Sequence, residues 1–438
     1  MNKSEQLEFQ FQDDLFKKIC ALDTLREAFK AVKRNKGAPG IDGITIEEYR
    51  NNLEENLIQL KTDVESWKYK PTPVRRVEIP KPGGKGVRLL GVPIINDRVL
   101  HMAIKMVLEP ILDPKFSGSS FGFRPGKNQQ QAVQQAQKIV QSGKEYIVDI
   151  DLSKFFDRIN HDRLIHRLKG HIQDTRILRL IGMILRGGIM IDGVKSPSEE
   201  GSVQGSPLSP LLSNVVLDEL DKELEKRDLE FCRFADDCNI FARSQRSAER
   251  IMTSIKKFIE NKLKLKVNEE KSKTRKSNEV KFLGMTIVEG TIAISKAAYN
   301  KAMEKVKTLI PRGSHLPIVR VIEEVNKWYR GWSSYFKMTQ YPAQLKAIEA
   351  HIRRRFRARI IRQQKKKRNI LTLLQRHGIN KKIASKTVYS NKGPWNLSHT
   401  RVIEKVYSIE WFINQGQLIV SGNALAHWFG IEKWVKLA

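Results

Sequence analysis

The chain has 438 residues, 40% of them hydrophobic, and 79 lysines and arginines stand against 48 acidic residues. This length exceeds the usual single domain, and the apolar content suits two or three units with buried cores rather than a long disordered arm. The net charge of +31 favours a polyanionic partner, nucleic acid first. Since no apolar stretch is long enough to span a membrane, we expect no membrane partner.

The N-terminal segment, MNKSEQLEFQFQDD, lacks the apolar core of an export signal and is too acidic for an organellar transit peptide. We therefore expect a cytoplasmic protein. The three cysteines are too few and too poorly spaced for a disulfide framework or a four-ligand zinc site. No cysteine follows Cys238, so we expect no Cys-rich nuclease module downstream.

The first 70 residues are predicted to be helical over 7–33 and 47–67, because apolar residues recur there at helical spacing. Between these helices, KGAPGIDG at 36–43 is typical of a loop. RRVEIP and VRLLGVP follow as two strands joined by the Gly-rich turn at 81–86. This pattern predicts a β-hairpin.

The next 200 residues mix helices and strands, which indicates an α+β fold class. The helix beginning at Pro207 is expected to use Ser206 as its cap and Pro207 in its first turn. The predicted helices are 97–112, 160–186, 207–227 and 247–263, and the predicted strands are 146–152, 231–242 with a tight turn inside, and 280–294.

From about Ser295 onward the pattern predicts helix almost throughout, with an aromatic segment, WYRGWSSYF, at 328–336. No carboxylate occurs between Glu349 and Glu404, and residues 353–368 read RRRFRARIIRQQKKKR. A charge run is usually only a solvated helix face. Because this one persists, we expect it to follow nucleic-acid phosphates, with Phe356 and Trp395 stacking or packing.

Two aspartates interrupt the apolar strand IVDIDL at 147–152. Because side chains alternate along a strand, Asp149 and Asp151 lie on one face and the apolar residues on the other. Buried carboxylates require a compensating cation. A divalent metal ion and a lysine or arginine partner both remain open on this observation alone.

A second acidic element, Asp236-Asp237, lies at the tip of a predicted hairpin. An Asp-Asp pair alone is a weak signal, but apolar strands flank both acidic elements and folding can bring them together. Three carboxylates around two metal ions suit phosphoryl transfer from a nucleoside triphosphate. Their hard oxygen ligands favour Mg²⁺, and no Ser, Cys or His arrangement competes.

Eight motifs occur in an order that resembles the reverse transcriptase/maturase proteins encoded within bacterial group II introns. They are NKGAPGIDG from Asn35, RRVEIPKPGGKGVRLLGVP from Arg75, SSFGFRPG from Ser119, IVDIDLSKFFDRINHD from Ile147, VQGSPLSPLLSN from Val203, FADD from Phe234, LKVNEEKS from Leu265 and KFLG from Lys281. The similarity extends along nearly the whole chain.

The resemblance implies a right-hand polymerase with fingers and palm over 1–292, an α-helical thumb or maturase domain over 293–365, and a small basic helical DNA-binding region over 366–438. It identifies the family's metal ligands with Asp151, Asp236 and Asp237, which would hold two Mg²⁺ ions, with Mn²⁺ as the substitute. Asp151 is preferred to Asp149 because an aromatic residue, Phe156, lies five positions after it.

The resemblance also implies roles for further residues, each of which has an ordinary structural alternative such as a turn charge, core phenylalanine, loop glycine or ion pair. The dNTP-binding residues would be Lys81, Arg88, Phe156 and Gln204. The template- and primer-binding residues would be Arg124, Gly205, Phe234 and Lys271. A basic nucleic-acid-binding helix would use Arg353, Arg354, Arg355, Arg357, Lys365, Lys366 and Lys367.

The sequence departs from the family at two places. Phe234 replaces the usual tyrosine before ADD, and Val203-Gln-Gly-Ser206 replaces Pro-Gln-Gly-Gly. Neither change removes a metal ligand, but the lost hydroxyl removes a hydrogen bond near the primer end. The expected absence of the zinc-bearing nuclease makes the chain similar to the proteins of class C introns.

The resemblance implies an RNA-directed DNA polymerase that binds its intron RNA, promotes splicing and copies the intron by target-primed reverse transcription during retrohoming. Its expected partners are the intron RNA, an RNA template, a DNA primer or target and dNTPs, and a homodimer is left open. One alternative is a host-adopted enzyme in DNA repair, phage defence or CRISPR spacer acquisition. Another is a non-catalytic RNA-binding splicing factor, which retention of all three aspartates disfavours.

Overall fold

The computed structural model describes residues 15–80, 87–191, 194–196, 201, 205–313 and 316–414. It divides into two compact units that meet in sequence at Lys276 and Ser277. Both units mix sheet with predominant helix, which confirms the predicted α+β class. No helix in the described ranges is long and apolar enough to cross a membrane.

The first unit contains ten α-helices and eight strands among its described residues. The helices are α1 Leu15–Cys20, α2 Leu22–Arg34, α3 Ile46–Asn51, α4 Leu53–Glu65, α5 Ile95–Leu112, α6 Gln129–Gln141, α7 His161–Lys169, α8 Thr175–Leu185, α9 Ser209–Lys226 and α10 Gln245–Phe258. The strands are β1 Val74–Pro80, β2 Val87–Val92, β3 Tyr146–Ile150, β4 Ile189–Ile191, β5 Val194–Ser196, β6 Phe231–Phe234, β7 Asp237–Ala242 and β8 Lys273–Lys276.

The N-terminal helices form because their apolar residues recur at helical spacing. Leu25, Ala28, Phe29 and Val32 are buried along one face of α2, and α2 packs on α5. The helix predicted over 7–33 is two helices that break at Ala21, and its first residues lie outside the described range.

A four-stranded sheet has the order β2-β1-β4-β5. Strands β1 and β2 pair antiparallel from Arg75 opposite Val92 to Pro80 opposite Val87, which confirms the predicted hairpin. Strand β4 joins β1 in parallel.

A second four-stranded sheet, with the order β6-β7-β3-β8, is antiparallel throughout. Its central pair places Asp149 opposite Asn239 and Ile150 opposite Cys238. Helix α6 packs against β6, and α10 packs against β3 and β7. The C-terminal end of β3 and the turn of the β6–β7 hairpin lie at the same end of the sheet.

The expected start of the helix after residue 206 is wrong. Helix α9 begins at Ser209 after Leu208, with no side-chain cap and with Pro210 in its first turn. The Ser206 hydroxyl is hydrogen-bonded to Nδ1 of the buried His101 at 2.9 Å and accepts a hydrogen bond from the Leu208 amide at 3.3 Å, before the helix begins. Ser206 therefore stabilises the turn that precedes α9 and contacts His101, but it is not the cap of the helix.

The second unit begins with a hairpin and is otherwise helical. Its elements are β9 Met285–Val288, β10 Thr291–Ile294, α11 Lys296–Leu309, α12 Ile318–Phe336, α13 Pro342–Gln363, α14 Lys367–Arg376, α15 Lys381–Val388, α16 Pro394–Leu397, α17 Arg401–Val406 and α18 Ile409–Asn414. Its own core includes Phe356, which is fully buried and therefore packs rather than stacks on a ligand.

The two compact units divide at Lys276 and Ser277, and the end of the fingers and palm at 292 stays a prediction. The side chains of Gln340 and Gln344 accept hydrogen bonds from the Ile292 and Ile294 amides of β10 at 2.9 and 2.8 Å. These bonds tie the β9–β10 hairpin to the helical unit. The described residues after 366 share that unit's core, and the thumb over 293–365 and the DNA-binding region over 366–438 stay predictions.

Candidate active site

The Asp-Asp pair lies at a two-residue turn between β6 and β7. Phe234 pairs with Asp237, so Ala235 and Asp236 form the tip. Ala235 has φ of 57°, in the left-handed region that residues with a Cβ rarely adopt. Such a conformation persists only where surrounding contacts enforce it.

Arg233 supplies several of those contacts from inside the protein. Its side chain is fully buried and forms an ion pair with Asp221 of α9, with 2.6 Å between Nη2 and Oδ2. Nη1 donates to the Ala235 carbonyl at 2.9 Å and to Oδ1 of Asn214 at 3.1 Å, and Nη2 donates to the Ser120 hydroxyl at 2.8 Å. The guanidinium therefore connects the turn to α9 and to the SSFGFRPG segment.

The SSFGFRPG segment also pairs with the edge of β6 through its backbone. The Phe121 amide donates to the Arg233 carbonyl at 2.8 Å, and the Arg233 amide donates to the Ser119 carbonyl at 2.9 Å. At Gly122, an added Cβ would lie 2.2 Å from the Ala235 nitrogen. Only glycine permits this close approach to the turn.

The strand β3 carries its two aspartates toward the same edge. Continuing its antiparallel register one residue beyond Ile150 brings Asp151 opposite Asp237. The Asn268 amide donates to the Asp151 carbonyl at 2.9 Å, and the Asp151 amide donates to the Ser272 hydroxyl at 3.0 Å. The LKVNEEKS segment thus fixes the backbone of Asp151 from the other side.

Cationic groups surround these carboxylates. Nζ of Lys271 lies 3.3 Å from Oδ2 of Asp151. Burial raises the pKa of Asp236, and the charge of Asp151 raises it further, whereas Arg88 and Lys271 lower it. Burial, then repulsion by Asp237 and Asp151, raises the pKa of Asp149 to about 6. These couplings place the predicted residues Arg88, Asp151, Asp236 and Lys271 in one electrostatic site.

The donor set fits a hard divalent cation, because it consists of carboxylate oxygens whose mutual repulsion a cation would relieve. Among the residues described, however, no three carboxylate, histidine or cysteine side chains converge closely enough to hold a metal ion. The Lys271 ammonium supplies the compensating charge beside Asp151. The sequence left a lysine partner open as one alternative for the strand aspartates, and Lys271 is such a partner for Asp151.

Phe156 is half-buried in a short 3₁₀ helix after β3 and packs on the core, with its ring 5.2 Å from that of Phe155. Phe234 is half-buried beside the turn. Gly205 has φ of 130°, and an added Cβ there would lie 2.4 Å from the Gly91 carbonyl oxygen. Only glycine fits at this position, because a side chain would collide with the backbone of strand β2. Lys81 and Gln204 lie outside the described residues.

Arg124 has structural contacts on all sides of its guanidinium. Nε donates to Oδ1 of Asp113 at 2.7 Å, Nη1 donates to the Ser117 and Ser120 carbonyls at 2.5 and 3.0 Å, and Nη2 donates to the Asp113 carbonyl at 2.8 Å. The side chain is only 7% exposed. These contacts match the ion-pair alternative for Arg124, whose guanidinium links the SSFGFRPG segment to Asp113.

The predicted basic helix requires correction, because part of it faces the protein interior. Arg355 is buried and donates to the Ile310 and Lys307 carbonyls, and Arg357 is buried and donates to the Tyr407 carbonyl. Arg353 and Arg354 are half-buried. The exposed charges of the predicted set are Lys365, Lys366 and Lys367.

Sequence reasoning missed Arg233, Asp221 and Asn214, which position the turn without being predicted site residues. The signal was present in FCRF, where an arginine interrupts a strand that is otherwise apolar. A charge inside such a strand requires a buried partner. The sequence does not indicate which of several acidic residues on α9 would provide it.

Two protein families match parts of the chain. Residues 79–287 match the reverse transcriptase (RNA-dependent DNA polymerase) family, and residues 299–378 match the group II intron maturase-specific domain. The chain is 30% identical to protein YkfC of Escherichia coli over 63% of this chain and 82% of that protein.

The chain is 28% identical to the group II intron-encoded protein LtrA of Lactococcus lactis, over 68% of this chain and 61% of that protein. Among solved structures, a chain of the partial Cas6-RT-Cas1–Cas2 complex is 27% identical, with a TM-score of 0.37, over 57% of this chain and 43% of that chain. The reverse transcriptase domain indicates RNA-directed DNA polymerase activity, and enzymes with this domain generally use divalent metals. The chain belongs to the group II intron-encoded reverse transcriptase/maturase family.

Proposed function

We propose that this chain copies RNA into DNA at a single site formed by Asp151, Asp236 and Asp237. The observation that carries the proposal is the meeting of three further motifs around the two that contain these carboxylates. SSFGFRPG contacts the FADD turn, LKVNEEKS binds the Asp151 backbone, and Arg88 of the β1–β2 hairpin acts on the charge of Asp236. Residues that are far apart in the sequence thereby contribute to one charged site.

Asp151, Asp236 and Asp237 would hold two divalent ions, Mg²⁺ or its substitute Mn²⁺. The bound ions would supply positive charge for the attacking 3′ oxygen and for the departing pyrophosphate. Nζ of Lys271 lies 3.3 Å from Asp151, so its positive charge offsets the negative charge of the carboxylate. The lysine is 63% exposed, so it can turn toward a backbone phosphate near the primer when the carboxylate takes another cation.

The incoming dNTP would bind between the hairpin and the strand edge. Arg88 is exposed on β2 within electrostatic reach of Asp236, where a guanidinium neutralises triphosphate charge. We assign Lys81 and Gln204 to the same nucleotide. Phe156 would occupy the volume of a ribose 2′-hydroxyl and thereby select deoxyribose.

Template and primer would bind along the same edge. Phe234 flanks the turn between β6 and β7. Gly205 and Arg124 fix the loops that contain them, and we assign these loops to the bound template and primer. In the second unit, Lys365, Lys366 and Lys367 are the exposed cations that we assign to phosphate contacts. The predicted roles of Arg353 and Arg354 at nucleic acid remain proposals.

The maturase-specific domain supports a partner beyond template and primer. We propose that the chain binds the intron RNA that encodes it, promotes splicing in the cytoplasm, and then copies the intron from a primer at a DNA target during retrohoming. Because the chain spans 61% of LtrA, these whole-protein activities belong to the proposal.

The test separates polymerase and splicing activity in one protein. Asp236→Asn is expected to reduce primer extension on an RNA template to background, because it removes one negative charge at the proposed metal site. Splicing of the cognate intron should stay near wild type. The control Asp162→Asn removes a carboxylate that is 87% exposed and should leave both activities unchanged. DNA synthesis by Asp236→Asn at the wild-type rate would refute the assignment.

A further inference from the structure

The second unit contains a cavity of about 280 Å³ between the end of α11, the C-terminal half of α13 and the start of α16. Its charged lining consists of the side chains of Arg312, Arg355, Arg359 and Arg362, and Trp395 forms an apolar wall. No carboxylate is present among the lining residues that the structure describes. Four like charges around one small space concentrate positive potential there, although Glu304 partly offsets the charge of Arg355.

The two inner arginines are fixed by the fold. Arg355 is 8% exposed, and Nη2 donates to the Ile310 carbonyl at 2.6 Å while Nε donates to the same oxygen at 3.1 Å. Arg359 is 3% exposed and donates to the Leu316 carbonyl. These bonds to carbonyl oxygens hold the two guanidinium groups in place beside the cavity.

The two outer arginines are exposed at the mouth of the cavity. Arg312 lies 5.8 Å from the centroid of the Trp395 ring, and its charge adds to burial in lowering the pKa of Arg355. Arg354 covers the Trp395 ring at 4.1 Å from outside the lining. The cations therefore repel one another across a space that an anion could occupy.

We propose that this cavity binds the phosphate and sugar of one nucleotide in a single-stranded segment of nucleic acid. Guanidinium groups match phosphate oxygens through paired N–H donors, and the Trp395 wall offers an apolar surface to the sugar. The volume exceeds what a phosphate alone would fill and approaches that of ordinary small-ligand sites. The inference rests on the proposed function only in requiring that the chain binds nucleic acid.

The strand could be RNA or DNA, since both supply the same phosphate. The test uses the full chain and fluorescent oligo(U) and oligo(dT) strands of about 15 nucleotides. The double variant Arg312→Ala/Arg362→Ala removes the two exposed charges at the mouth and leaves the buried pair intact. The matched control Lys301→Ala/Lys305→Ala removes two exposed charges from α11 in the same unit.

The arginine variant is expected to bind at least one of the two strands about tenfold or more weakly, with a shallower dependence on salt, because two charge-assisted contacts are lost. The lysine control should change affinity less than about threefold. Loss for oligo(U) alone identifies an RNA site, loss for oligo(dT) alone a DNA site, and loss for both a site that recognises phosphate. Equal affinities for the two double variants would overturn the proposal.

Photocrosslinking of the wild-type protein gives a second measurement that does not depend on variant folding. A 5-iodouridine strand is expected to crosslink to the peptide containing Trp395, and crosslinks confined to other peptides would contradict the cavity. Primer extension on an RNA template, run with the same preparations, tests the proposed function separately. A protein that binds strands at the cavity but synthesises no DNA would refute the polymerase proposal alone.

Discussion

Arg233 shows how one buried side chain can define an active-site loop. Its ion pair with Asp221 has both side chains fully buried, so each charge depends on the other for compensation. The same guanidinium donates to the carbonyl of Ala235, the residue with the unusual backbone conformation. The position of Asp236 thus depends on a residue that touches no substrate.

Phe156 is the residue expected to distinguish deoxyribonucleotides from ribonucleotides. Its replacement by alanine opens space at the sugar, so incorporation of ribonucleotides relative to dNTPs should rise about tenfold or more. The ratio of kcat/KM for the two substrates measures the effect. The control Phe123→Ala alters a ring that is 44% exposed and should leave the ratio unchanged. Unchanged sugar discrimination in Phe156→Ala would reject the assignment.

Glu349 makes the second unit sensitive to pH. Burial raises its pKa to about 7, although Tyr329 donates a hydrogen bond to it at 2.8 Å and Arg353 lies 3.8 Å away. The folded unit therefore keeps a proton that the unfolded chain releases. The stability from this proton is fully present below the ordinary pKa of 4.5 and is lost as pH rises through about 7.

Glu349→Gln cannot lose that proton, so its free energy of unfolding should depend less on pH. Between pH 4.5 and pH 7, the wild type should lose up to about 3 kcal/mol relative to this variant. Denaturant unfolding across this range measures the difference. The exposed Glu324→Gln serves as the control and should track the wild type. Parallel pH profiles for wild type and Glu349→Gln would contradict the expected sign.

The hairpin of β6 and β7 is the element on which the site depends most. Gly122 touches its turn from the neighbouring segment, and an added Cβ would lie 2.2 Å from the Ala235 nitrogen. Gly122→Ala should therefore displace the turn, at a cost of about 1–3 kcal/mol in stability, and lower the primer-extension rate about tenfold or more.

Gly118→Ala is the matched control, because an added Cβ at Gly118 meets nothing within 4 Å. It should alter neither stability nor rate. The measurements are denaturant unfolding and single-turnover primer extension for both variants. A Gly122→Ala protein with wild-type stability and rate would show that the turn tolerates displacement.

Elements with strong local patterns were predictable from sequence. The β1–β2 hairpin and the β6–β7 strands have alternating or apolar runs bounded by turn residues, and the structure contains them. Contacts between distant segments were not predictable in the same way. Ser206 bonds to His101 across 105 residues of sequence instead of capping a helix.

The basic helix illustrates the same limit for charge. Its arginines and lysines look equivalent in sequence, but Arg355 and Arg357 face the interior and bind carbonyls, while the lysines at 365–367 are exposed. Hydrophobic periodicity identifies a buried face only when that face is apolar. Here α13 buries long cationic side chains, so composition alone overstated its nucleic-acid surface.

At the scale of the whole molecule, the net charge of +31 sets the response to salt. The logarithm of the RNA association constant should fall linearly with the logarithm of salt concentration, with a slope steeper than about −3, corresponding to four or more phosphates. Binding titrations at several potassium chloride concentrations measure this slope. A flat response would show that the basic residues are not used for phosphate contacts.

The central claim is that the two acidic elements form one metal site. Fe²⁺ substituted for Mg²⁺, with ascorbate and peroxide, produces hydroxyl radicals that cut backbone close to the bound ion. Mass spectrometry of the wild-type protein should detect cuts both around residues 149–152 and around residues 235–237, and Asp236→Asn should lose both. Cuts near one element only, or an unchanged pattern in Asp236→Asn, would contradict a shared site.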